Sequence, residues 1–164
     1  MPLVVRRVRS DESLRLRALR LRALADAPSA FGSTLAREEA FPDEVWQERA
    51  AGGAAGEDRV TYIAEDGDRW IGMATGLMDA GRRLDLVGMF VEPEARGREV
   101  GASLVQSIAA WARGRGATQL HLWVTTTNEP ALRLYRRVGF RPTGSTQPLD
   151  HTPSLQEIEM VRDL

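Results

Sequence analysis

The chain has 164 residues, 23 acids against 22 bases, and no cysteine. That length supports one domain with its own hydrophobic core, the near-balance of charge names no partner, and the missing thiols exclude disulfides, thiolate catalysis and cysteine-ligated metal. All 22 bases are arginine, so a Schiff-base lysine and a P-loop lysine are excluded too.

No apolar run reaches the roughly 18–20 residues of a membrane span. The opening MPLVVRRVRS lacks the longer apolar stretch of a signal peptide. The expectation is a soluble, cytoplasmic protein with no membrane and no metal partner. Residues 4–8 alternate enough for a short edge strand. Ser10 offers an N-cap for a helix over 11–25, with Asp11 and Glu12 in its first turn and Leu14, Ala18, Leu21 and Ala25 along one face. Residues 26–41 read as a loop with a helical turn, 43–51 as a second helix, and the glycine-rich 52–58 as a flexible loop. Two strands follow at 60–65 and 70–78, joined by the hairpin signal Asp66-Gly67-Asp68.

Residues 84–91 form a third strand, interrupted by Gly88 where a bulge or a close backbone approach is expected. A helix spans 100–114 with Leu104, Ile108 and Trp111 on one face, a strand spans 119–125, and a helix spans 129–138, ending at the C-cap Gly139. A loop rich in Pro, Thr and Ser precedes a last strand at 155–161. The order β-α-α-β-β-β-α-β-α-β makes the fold α/β, a mixed sheet covered by helices in a single domain over 1–164.

The segment between the third strand and its helix carries the chemistry. Pro93 ends the strand, and Gly97 and Gly101 permit tight turning. The helix that follows begins with unpaired N–H groups and a partial positive charge, a receptor for a pyrophosphate. Arg96 and Arg98 add guanidinium donors suited to phosphate oxygens. Neither GxxxxGK[ST] nor GxGxxG occurs.

With Val91, Pro93, Arg96 and Gly101 in place, the stretch resembles the acetyl-CoA-binding motif of the GNAT N-acetyltransferases, [QR]-x-x-G-x-[GA] after V-x-P. Asn128, Ala131, Leu134, Tyr135, Gly139 and Phe140 resemble the second signature of that family, N-x-x-A-x-x-L-Y-x-x-x-G-F. Glu99 departs from the pattern, standing where the family carries its inner glycine; a negative φ at the helix start would accommodate it, with its carboxylate paired to Arg96 or Arg98.

The resemblance implies a mostly antiparallel central sheet of about six to seven strands flanked by helices, splayed at the cofactor site. It implies acetyl-CoA as cosubstrate, held by Met89, Phe90 and Val91 on the open strand, by Arg96, Gly97, Arg98, Glu99, Val100, Gly101 and Ala102 around the diphosphate, and by Asn128 near the pantetheine. Asn128 is also a good helix cap. The implied reaction is direct attack of a neutral amine on the thioester. An alkylammonium is only about 0.04% neutral at pH 7, so a proton must be removed. Tyr135 takes the position of the general acid that protonates the leaving thiolate. The family's ribosomal-protein alanine acetyltransferases carry a glutamate where this chain has Trp123, so that base and that substrate do not carry over. His121, two residues earlier on the same face, is a candidate base, with a structural histidine the favoured reading; Asp85 is a weaker candidate.

GNAT acceptor pockets are built partly from the first two helices and their connection. Residues 26–58 hold eight acids against two arginines, which suggests a negative mouth, with Phe31 as a wall and Glu38 and Glu39 as acceptor-binding residues. The expected acceptor is a small cationic amine or a peptide N-terminus, not a nucleic acid. The resemblance leaves a homodimer open. Two other readings compete: a catalytically silent acyl-CoA-binding module and an arginine-rich nucleic-acid binder, the latter weakened because Arg15, Arg17, Arg20 and Arg22 spread around their helix.

Overall fold

The computed structural model describes residues 3–164. Seven strands form one sheet: β1 (Leu3–Arg7), β2 (Arg59–Asp66), β3 (Arg69–Met78), β4 (Leu84–Val91), β5 (Gln119–Thr125), β6 (Arg141–Leu149) and β7 (Thr152–Asp163). Their spatial order is β1-β2-β3-β4-β5-β7-β6. Every pairing is antiparallel except β4 with β5, which run parallel and meet at one pair, Asp85 and His121. Five helices cover it: α1 (Ser13–Asp26), α2 (Leu35–Glu39), α3 (Asp43–Ala55), α4 (Val100–Gly114) and α5 (Glu129–Arg137). No described helix is long and apolar enough to cross a membrane.

Two apolar layers hold the helices to the sheet. One joins α4 and α5 to the sheet through Leu104, Ile108, Trp111, Leu122, Leu132 and Tyr135. The other joins α1 and α3 to the opposite side through Leu16, Leu19, Leu24, Ala50, Met73 and Phe90. The helix α4 has the clearest apolar stripe, with Leu104, Val105, Ile108 and Ala112 fully buried, and its position fixes the entry to the site.

Four expectations change. The inward stripe of α1 is Leu16, Leu19, Ala23 and Leu24, while Leu14 is 75% exposed. Leucine and arginine alternate through this helix, so several stripes look amphipathic; the buried one carries Arg20, whose charge is neutralised inside by Glu38. The first turn is not capped by Ser10: Glu12 occupies the cap position without a side-chain cap bond and instead accepts from Arg6. The glycines at 52 and 53 do not open a loop but continue α3 to Ala55, and Gly56 ends it at φ 70°. A Cβ on Gly53 would stand 2.8 Å from Thr61 Cβ, so the missing side chain lets α3 lie against β2.

The segment expected as a loop near 141–149 is the edge strand β6. Both its faces are exposed up to Leu149, so no apolar alternation betrays it, and Pro142 and Pro148 are compatible with an edge. Only pairing with β7 defines it.

Candidate active site

The site begins with a defect in β4. Gly88 has φ 63°, and the β3–β4 register shifts between Met73 and Thr75. This bulge exchanges the faces of the strand. Before it Leu84 and Leu86 face the α4 layer; beyond it Met89 and Val91 do so, and Phe90 joins the α1 layer. Because β5 pairs with β4 only at Asp85, the β5-facing side of Met89, Phe90 and Val91 has no strand partner among the described residues. The sheet is parted there.

The chain then passes through a short 3₁₀ turn, Pro93–Ala95, into the N-terminus of α4. Gly97 (φ 82°) and Glu99 (φ 65°) are both left-handed, and α4 starts without a side-chain cap. The negative φ expected for Glu99 is therefore corrected: the turn needs a left-handed residue here, and a glutamate bears the strain that glycine would not. The Glu99 carboxylate does not pair with Arg96 or Arg98 but with Arg137 of α5, at 2.9 Å. Val100, Gly101 and Ala102 present the first amides of a 15-residue helix, a concave row of donors with a positive dipole end. Arg96 donates to the Val91 carbonyl (3.0 Å) and pairs with Asp26 (2.9 Å), and Arg98 pairs with Asp66 (3.1 Å). These residues fit a diphosphate: the uncapped amides supply donors, and two half-exposed guanidiniums supply charge.

Helix α5 is docked onto that same N-terminus. A Cβ on Gly101 would come within 2.8 Å of Leu134 Cδ2, so this glycine lets the two helices approach. Asn128 caps α5 by accepting from the Ala131 amide at 3.3 Å. Tyr135 is buried in the α4–α5 layer and packs edge-on against Phe140 with ring centroids 5.7 Å apart. Burial pushes its hydroxyl above the ordinary tyrosine range, so it stays protonated at neutral pH and keeps a proton to donate.

On the opposite side of the sheet lies a cavity of about 410 Å³, bounded by Gly88 and Val87 of the bulge, Phe31, Trp46 and Trp123. Two contacts hold its roof. His151 Nε2 lies 2.7 Å from the Phe31 carbonyl, and Thr125 Oγ1 donates to the Ser29 carbonyl at 2.7 Å. Its floor includes a hydroxyl pair, Thr61 and Thr75, 2.9 Å apart.

The charge of this cavity is the reverse of the expected negative mouth. Of the eight acids in 26–58 only Glu38 lines it, together with Arg20, Arg37, Arg49 and Arg59. Glu38 is fully buried; Arg20 grips it with Nε and Nη2, both at 3.0 Å, and Arg49 adds a bond of 2.9 Å. Burial works to raise its carboxyl, but the two guanidiniums outweigh that and hold it down at about 2. A carboxylate so committed is a poor base. Glu39 is exposed on α2 outside the cavity lining. The composition of 26–58 pointed the other way because Arg20 and Arg59 enter from outside that window.

His121 does not line the cavity either. It pairs in register with Asp85 beside an ionic cluster in which Arg83 binds Asp85 at 2.7 Å and Glu159 at 2.6 Å. Its Nδ1 is buried without a hydrogen-bond partner. Missed in the sequence were Arg20, Arg49, Arg59, Trp46 and His151. Arg20 alone left a signal, an arginine on the same stripe as Leu16, Ala23 and Leu24.

A mixed sheet parted between two parallel strands, with a glycine turn feeding an uncapped helix at the gap, is the arrangement that the resemblance to the GNAT family implies. Residues 21–140 match the acetyltransferase (GNAT) family, and the chain belongs to that family. It is 38% identical over 104 residues to streptothricin acetyltransferase of Streptomyces lavendulae, which covers 61% of this chain and 54% of that protein. The chain thus spans about half the length of that curated relative. The crystal structure of nourseothricin acetyltransferase superposes with a TM-score of 0.60 at 34% identity, covering 65% of each chain. The PaiA N-acetyltransferase of Thermoplasma acidophilum, solved with coenzyme A, superposes over 100% of both chains with a TM-score of 0.77 at 14% identity, a likeness of fold.

Proposed function

We propose that this chain transfers the acetyl group of acetyl-CoA to a primary amine. One observation carries the reading: the cavity of about 410 Å³ reaches the bulge at Gly88, and from there the open side of β4 runs through Val91 to the turn that leads into the amides of α4. Acetyl-CoA supplies an activated thioester, and the remaining work falls to the chain. Val100, Gly101 and Ala102, with Arg96 and Arg98, hold the diphosphate. The open edge of Met89–Val91 pairs with the pantetheine amides as an added strand would, and its N–H groups are the donors available to polarise the carbonyl. The acceptor enters from the cavity. Its nitrogen bonds to the acetyl carbon, the carbon–sulfur bond breaks, and the sulfur takes a proton.

Tyr135 is the group we assign to that proton. It lies on α5, the helix docked at the cofactor turn, and its hydroxyl is held protonated. The amine must lose a proton first. With Glu38 committed to Arg20 and Arg49, solvent reached through the cavity is the favoured acceptor of that proton, since His121, in register with Asp85, does not line the cavity.

The test is free-thiol release from acetyl-CoA with amines, polyamines, amino acids and N-terminal peptides. Tyr135→Phe should lower kcat by about a hundredfold while calorimetry finds acetyl-CoA bound as before. Undiminished turnover would remove Tyr135 from the chemistry. A chain that binds acetyl-CoA but acetylates nothing would be the silent binding module.

A further inference from the structure

The lining of the acceptor cavity holds more positive charge than its own carboxylates neutralise. Glu38 is shared between Arg20 and Arg49. Arg37 stacks over Phe41, with its guanidinium 5.9 Å from the ring, and no carboxylate pairs with it among the described residues. Arg59, the first residue of β2, is half-buried and likewise has no carboxylate partner. Glu157, on the far wall, is bonded to Gln147 at 2.6 Å. Burial, and then the charges of Arg49 and Arg20, push Arg59 below the ordinary arginine range, as expected of a cation left among cations. Keeping an unpaired guanidinium partly desolvated is costly, and a bound anion removes that cost.

The aromatic lining adds to this. Arg49 lies 4.9 Å from the Trp46 ring centroid and 5.2 Å from that of Phe41, and Arg20 lies 4.8 Å from Phe31. Those stacks hold the guanidinium planes in place before any ligand arrives. The Trp46 Nε1 donor is buried without a partner. The cavity therefore offers donors in excess and few acceptors.

Resting on the transferase reading, we infer that the acceptor amine carries an anionic group, a carboxylate or a phosphate, and that Arg59 with Arg49 binds it at the end of the cavity away from Gly88. The spacing suits a short linker. Arg59 pairs with Leu77, and Leu77 with Asp85, so its Cα stands two strand spacings, roughly 10 Å, from Asp85, which is three residues short of Gly88 on β4. The Arg59 side chain lies along α3, with Cδ 3.5 Å from where a Cβ on Gly52 would stand, and lines the cavity. Arg20 occupies the near end: its Nη1 lies 3.5 Å from where a Cβ on Gly88 would stand. A cation beside the reacting nitrogen disfavours the ammonium and favours the neutral amine that attacks.

The experiment compares acceptors of one length that differ at the far end: 4-aminobutanoate, 3-aminopropylphosphonate, butylamine and 1,4-diaminobutane. The anionic acceptors should exceed butylamine in kcat/KM by about tenfold or more, the worth of a charge-assisted contact, with diaminobutane lowest. The carboxylate-to-phosphonate ratio identifies the anion. Arg59→Gln should erase the preference through KM and leave the KM for acetyl-CoA unchanged. A preference for butylamine or diaminobutane, or a preference that survives Arg59→Gln, overturns the inference. Calorimetry with glutarate and with inorganic phosphate, which cannot be acetylated, reads the anion site without turnover. Binding by wild type that is lost in Arg59→Gln supports it even if every amine fails, an outcome that would instead count against the transferase reading. No binding of either anion to wild type overturns the site.

Discussion

Glu99 sits in the turn proposed to hold the cofactor. It sits left-handed at the start of α4, where the conformation costs a non-glycine residue roughly 1–2 kcal/mol. Its exposed pair with Arg137 returns at most about 1 kcal/mol. Glu99→Gly relieves the strain but gives the unfolded chain more freedom, so the melting temperature should stay within a few degrees. Its effect belongs to binding. Removing a carboxylate from beside the α4 amides should tighten acetyl-CoA by roughly two- to fivefold, read as Kd by calorimetry and shrinking at high salt. Both signatures around this turn were legible as residues, since Arg96, Gly101, Asn128 and Tyr135 stand at fixed spacing. The conformation of Glu99 was not legible, because φ is set by the path of the chain between β4 and α4.

At the scale of elements, α3 is seated by two adjacent glycines with opposite roles. Gly53 faces β2, where a Cβ would collide with Thr61 Cβ, an atom held close to the backbone. Gly53→Ala should therefore destabilise the fold by about 1–3 kcal/mol. A Cβ on Gly52 meets Arg59 Cδ at an ordinary 3.5 Å. Gly52→Ala should stabilise by up to about 1 kcal/mol through helix propensity alone. Urea denaturation of both variants checks the pair, and equal effects would show that α3 does not lie on β2 as described. Periodicity located α4 well because its apolar stripe is continuous. It misjudged α1, where leucines occupy several faces, and overlooked β6, which is exposed on both sides and owes its existence to β7.

Across the whole molecule, Glu38 ties three elements together: α2 carries it, α1 and α3 supply Arg20 and Arg49. Its folded pKa of about 2 lies below the ordinary 4.5, so the carboxylate is favoured by folding. The stability it contributes is complete above about pH 4.5 and is lost as pH falls toward 2. Glu38→Gln leaves two guanidiniums without their shared partner and should cost about 3–5 kcal/mol at pH 7. The gap in melting temperature between wild type and variant should narrow as pH falls through that window. A gap constant down to pH 2 would mean that Glu38 is not held ionised.

Local order along the chain and the paired signatures of 91–102 and 128–140 determined the family and most of the elements, β6 excepted, because those depend on residues close in sequence. The charge of the acceptor cavity was decided only in three dimensions. Arg20, Glu38, Arg49 and Arg59 come from four separate elements, and which of their charges cancel depends on distances that no window of sequence contains.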